Sequence, residues 1–142
     1  MFYGCTSLTT APELPATSLA LSCYSGMFTA CTALTTAPEL PATTLAESCY
    51  SGMFYGCSSL ITAPELPATT LVTECYDALF YNCSSLNYIK AMFTTTPSTT
   101  YTREWVYKVS STGTFVKNSE AQWNVTGTNG VPTGWTVQNA SE

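Results

Sequence analysis

The apolar positions of this chain fall into columns, and the columns recur at one fixed interval along the sequence. Residues 1–26 read MFYGCTSLTTAPELPATSLALSCYSG, residues 27–52 read MFTACTALTTAPELPATTLAESCYSG, and residues 53–78 read MFYGCSSLITAPELPATTLVTECYDA. A fourth copy opens at Leu79 as LFYNCSSLNYIKAMF and then diverges. Leu8, Leu34, Leu60 and Leu86 form one column. Leu14, Leu40 and Leu66 form a second, and Leu19, Leu45 and Leu71 a third. Phe2, Phe28, Phe54 and Phe80 make a fourth, with Met1, Met27, Met53 and Leu79 beside them. One copy cannot bury these groups alone, so a gapless period of this length predicts a supersecondary unit stacked on copies of itself.

Within each unit, L-T-T-A-P-E-L predicts a short strand. Pro12, Pro38 and Pro64 have no N–H to give to a parallel ladder, so the strand should stop or bend there. The second proline (Pro15, Pro41, Pro67) marks a turn. Over residues 19–28, Leu19, Cys23, Met27 and Phe28 are spaced by about four, which predicts a helical turn. After Phe93 the period ends. Residues 94–100 form a Thr/Ser/Pro linker, and residues 102–109 (T-R-E-W-V-Y-K-V) predict a short helix capped by Ser98, Thr99 or Thr100. The stretches S-T-G-T-F-V-K-N and W-N-V-T-G-T-N-G-V-P-T-G-W-T-V predict short strands between glycine turns.

The pattern F-x-x-C-x-x-L, followed by a strand, a proline, a leucine and a second aromatic-bearing turn, resembles the BspA-type leucine-rich repeats. The matching residues are Phe2/Cys5/Leu8, Phe28/Cys31/Leu34, Phe54/Cys57/Leu60 and Phe80/Cys83/Leu86. A-P-E-L-P-A-T stands where that family has an I-x-I-P strand, and the family's unit is a few residues shorter. The tail is similar to the closing segment of bacterial and phage proteins of this type, around T-G-T-F-x-K-N and G-V-P-x-G-W-T-V. The resemblance implies an α/β fold. Residues 1–93 would form a leucine-rich-repeat solenoid of three full 26-residue units and a partial fourth. Residues 94–142 would form a small mixed β-rich C-terminal cap. It also implies the surface proteins of gut and oral bacteria, or the phages of gut bacteria.

Composition narrows the function. The net charge is −5 and only 9% of residues are charged. The four basic residues, Lys90, Arg103, Lys108 and Lys117, all lie beyond the three full repeats. Phosphate contacts need clustered Lys and Arg, so no nucleic-acid partner is expected. No run approaches the roughly 18 apolar residues of a membrane helix, so no membrane insertion is expected. Residues 1–5 carry neither a basic start nor an apolar run, so no signal peptide is expected in this chain. A hydroxyl-rich, weakly charged surface points to an extracellular or cell-surface setting, with a virion as the alternative.

Candidate chemistry is sparse. Histidine is absent, which removes the commonest acid–base residue. No phosphate-cradling glycine loop is present. No catalytic, cofactor or metal residues are expected. The cysteines, at 5, 23, 31, 49, 57, 75 and 83, alternate between one long and one short gap. They form two ladders of the repeat and are odd in number, which favours buried reduced thiols over a disulfide framework. Glu13, Glu39 and Glu65 form a carboxylate row, expected to be a solvated stripe rather than a Ca²⁺ bridge. With the hydroxyls of Thr10, Thr36 and Thr62 they make the candidate binding surface. All three tryptophans, Trp105, Trp123 and Trp135, lie in the tail. There they serve as cap residues or, if exposed, as a carbohydrate platform. The copies vary at Tyr3/Thr29/Tyr55, Gly4/Ala30/Gly56 and Leu21/Glu47/Thr73, as drift on a solvent face would produce.

These features lead to a non-catalytic protein- or glycan-binding repeat module of a bacterial cell-surface or secreted protein. The alternative is a phage tail or fibre component with a structural or receptor-binding role. The partner would be a macromolecule. The chain begins at a unit boundary without a cap, so self-association through that end is also expected.

Overall fold

The computed structural model describes residues 2–140, so the core position expected for Met1 lies outside the described residues. Backbone conformation at every fourth residue decides the architecture. Across the junction of the first and second repeats Ser22, Gly26 and Ala30 have φ of 53°, 64° and 60°. Each is the third residue of a four-residue turn, where a type II geometry needs positive φ. The turns close when the N–H groups of Cys23, Met27 and Cys31 donate to the carbonyls of Ala20, Tyr24 and Phe28 at 3.1, 3.2 and 3.0 Å. The alternate N–H groups leave the copy altogether. Those of Ser22, Tyr24, Gly26, Phe28 and Ala30 donate to the carbonyls of Glu47, Cys49, Ser51, Met53 and Tyr55 in the next copy, at 2.7–3.0 Å. The same set recurs one copy further on, where Ser48, Tyr50 and Gly52 donate to Thr73, Cys75 and Asp77, Phe54 to Leu79 and Gly56 to Tyr81.

This arrangement replaces the expected α/β leucine-rich-repeat solenoid. Among the described residues there is no helix, and three four-residue strands form one parallel sheet. Residues 19–28 and 102–109, both expected to be helical, instead hold chains of turns over 21–28 and 103–108. A helix needs every N–H directed to the carbonyl four residues back. Here half of these donors are committed to the next copy and a left-handed residue recurs every fourth position. The sequence spacing near four reflects side chains pointing two inward and two outward. Cys49 and Tyr50 are buried, Ser51 and Gly52 are not, and Met53 and Phe54 are buried again. Among the described residues no helix is long and apolar enough to cross a membrane.

The expected L-T-T-A-P-E-L strand also fails to form. It makes only isolated bridges, such as Thr10↔Thr36 and Thr62↔Tyr88. The strands that do form are β1 (Tyr88–Ala91), β2 (Thr114–Lys117) and β3 (Thr136–Asn139), paired in that order with Ile89 beside Phe115 and Phe115 beside Val137. β1 continues the T-A-P-E column, but Lys90 stands one period beyond Pro64 and restores the missing donor.

The sequence period ends at Phe93, yet the backbone keeps the step. β2 follows β1 by one period, so that Thr114 pairs with Tyr88. Glu104 and Lys108, with φ of 50° and 59°, lie one period beyond Ala78 and Asn82, which have φ of 52° and 61°. One apolar cluster therefore runs from Leu14 to Trp135. Along it Phe2, Phe28, Phe54 and Phe80 stack at 5.4, 5.7 and 5.8 Å between ring centres. Trp105 closes this column, 6.0 Å from Phe80 and 5.9 Å from Tyr76.

Candidate functional site

The A-P-E-L-P segment runs along one side of the molecule in every repeat. Its prolines hold φ near −65° and give a stiff backbone. Leu14, Leu40 and Leu66 point into the core, which turns the glutamate beside each of them outward. Thr10, Glu13, Thr36, Glu39, Thr62 and Glu65 are all exposed, and the bridge Thr10↔Thr36 sets the first two copies side by side. Between the first and second copies lies a groove of about 420 Å³, lined by Pro12, Glu13, Pro15, Pro38, Glu39 and Pro41 among others. A second, of about 330 Å³, lies between the next two copies, lined by Pro38, Glu39, Pro41, Pro64, Glu65 and Pro67 among others. Each groove thus has proline walls with carboxylates set along them. Thr36 and Thr62 line a smaller hollow of about 230 Å³ beside them. Lys90 stands at the far end of the row, its Nζ 3.4 Å from Glu65 Oε1. The three carboxylates do not converge: among the described residues no group of three or more His, Cys, Asp or Glu is placed to hold a metal ion.

Cys31, Cys49, Cys57, Cys75 and Cys83 are buried, while Cys5 is half-buried and Cys23 exposed. All seven cysteines are free. Cys31, Cys57 and Cys83 donate through Sγ to the carbonyls of Phe2, Phe28 and Phe54 at 2.9, 3.1 and 3.0 Å. Burial pushes the Cys57 and Cys75 thiols up to about 12 and that of Cys49 to about 11, from an ordinary 9.0. These three groups stay protonated at neutral pH and are poor nucleophiles.

The tryptophans do not offer a carbohydrate platform. Trp105, Trp123 and Trp135 are buried, and their Nε1 groups donate to the carbonyls of Gly130, Phe93 and Ser110.

A second surface is absent from the sequence-based expectations. On the turn side Tyr55 and Tyr81 stack with ring centres 4.5 Å apart and planes 5° apart. Tyr107 continues the column at 4.8 Å, tilted by 35°, with Lys108 Nζ 5.5 Å from its ring centre. Tyr55, Tyr81, Asp77, Arg103 and Glu104 line an open hollow of about 280 Å³. Arg103 grips Asp77 through Nε–Oδ1 at 3.2 Å and Nη2–Oδ2 at 2.8 Å, and those hydrogen bonds raise the guanidinium above its ordinary range. The signal was a tyrosine at one repeat position, held by Tyr55, Tyr81 and Tyr107 in turn. Thr29 interrupts the column, and the missing sequence period in the tail hides its last member. No protein family, curated protein or solved structure matches the chain.

Proposed function

We propose that the chain is a non-catalytic recognition module of a cell-surface or secreted protein, binding a protein or glycan along its A-P-E-L-P face. The observation that carries this is repetition. The same exposed threonine and glutamate, and the same pair of prolines, are presented over two consecutive grooves. Recognition spread over stacked copies sums modest contacts along a surface, without requiring one deep pocket. A proline-stiffened backbone lowers the ordering cost of binding. The resemblance of the F-x-x-C-x-x-L pattern to bacterial surface repeats supports the same reading. So does the chemistry of the interior, where no histidine is available and buried thiols are held neutral.

The test is a screen of the intact chain against glycan and extracellular-protein arrays, repeated with a Thr36→Ala/Glu39→Gln variant. Both side chains point to solvent, so the thermal unfolding midpoint should stay in place. Affinity for the captured ligand should fall about tenfold or more, which corresponds to about 1.4 kcal/mol. Binding that ignores this pair but disappears on changing Thr29 or Glu47 would move the site to the turn side.

A further inference from the structure

We propose that Tyr55 and Tyr81 form an oxidative coupling site, at which a one-electron oxidant generated from hydrogen peroxide joins the two rings as dityrosine. The inference does not depend on the A-P-E-L-P face. It rests on two phenols leaving equivalent positions of successive copies, stacked at 4.5 Å with planes 5° apart. Tyr55 is 39% exposed and Tyr81 partly so, so an oxidant reaches both. Near-parallel planes at this separation keep the ortho carbons of the two rings close neighbours.

In the reaction each phenol gives up one electron and its hydroxyl proton, leaving a phenoxyl radical with spin on its ortho carbons. One carbon–carbon bond forms between two ortho carbons. The two ring C–H bonds then break, and their protons return to the oxygens as both rings regain aromaticity. The pair loses two hydrogens in all, and one hydrogen peroxide accepts the two electrons and two protons to become two waters. The product ties one copy to the next across the surface, from Tyr55 to Tyr81.

The molecule contains its own control. Tyr24, Tyr50 and Tyr76 also stack, at 6.0 and 6.1 Å. That column turns inward, with Tyr50 and Tyr76 buried, so oxidant access and ring separation both disfavour coupling there.

The experiment treats the intact chain, at high dilution, with a haem peroxidase and hydrogen peroxide. Monomer is then isolated by size exclusion and analysed by intact mass, dityrosine fluorescence and peptide mapping. The expected monomer lacks two hydrogens, shows dityrosine emission and yields one cross-linked peptide pair joining Tyr55 to Tyr81. Tyr81→Phe should abolish that species, while Tyr24→Phe should leave it intact. A monomer with no hydrogen deficit, dityrosine confined to dimers, a cross-link between Tyr24 and Tyr50, or a staple that survives Tyr81→Phe would each overturn the proposal.

Discussion

Tyr76 is buried between the rings of Tyr50 and Trp105, at 6.1 and 5.9 Å, and its hydroxyl has no hydrogen-bond partner. A buried, unsatisfied hydroxyl costs its desolvation without return, so Tyr76→Phe should stabilise the protein by about 1 kcal/mol. Urea unfolding measures this, and a loss of stability would mean that the hydroxyl is satisfied in solution. The buried thiols set a pH limit. An unfolded thiol ionises near its ordinary 9.0, while folded Cys57 and Cys75 hold their protons to about 12. Their folded-state values are raised, so the stability they confer is complete below about pH 9 and lost as pH climbs toward 12. Each such thiol contributes a slope of about 1.4 kcal/mol per pH unit in that window. Denaturation midpoints should therefore hold steady through neutral pH and fall beyond the thiol's ordinary value. A midpoint that holds steady well above it would show that the thiols are solvated. The two cysteine ladders were legible from their spacing, whereas the orphaned hydroxyl was not, because its surroundings come from other copies.

At the scale of the element, positive φ is what separates a chain of turns from a helix. Gly52 has φ +60° and no atom within 4 Å of where a Cβ would sit. Gly52→Ala should therefore cost about 1 kcal/mol from backbone strain alone. Ala30 already occupies this conformation at φ 60°. Ala30→Gly relieves its strain, offset by the greater freedom of glycine in the unfolded chain, for a net gain of up to about 0.5 kcal/mol. Opposite signs for the two variants in thermal unfolding are the expected outcome, and equal signs would count against the turn geometry. The variation among Gly4, Ala30 and Gly56 is visible in the sequence, where it reads as drift. All three sit at positive φ, so that position reflects a backbone requirement met at different cost.

For the whole molecule the decisive relation is between the repeats and the tail. The carbonyls of Thr100, Tyr101, Arg103, Trp105 and Tyr107 accept the outward N–H groups of the third copy and the partial fourth, and Trp105 covers Tyr76 and Phe80. Removing residues 94–142 strips these acceptors and uncovers large side chains, each worth about 1.5–3 kcal/mol out of a total near 5–15 kcal/mol. The remaining fragment should aggregate or lose cooperative unfolding by circular dichroism. A soluble, cooperatively folding 1–93 fragment would show the tail to be an independent unit. Identical copies set side by side place like residues together, so the sequence by itself determined the apolar columns, the buried phenylalanines and the outward Thr and Glu rows. Tertiary structure alone decided the rest. A spacing near four suits a helix and a chain of turns equally, and the choice was made by carbonyls of the next copy, Met53 for Phe28 among them. Only that pairing carried the backbone step past Phe93 and brought Tyr55, Tyr81 and Tyr107 into one column, because hydrogen bonds between copies act on the main chain whatever the side chains are.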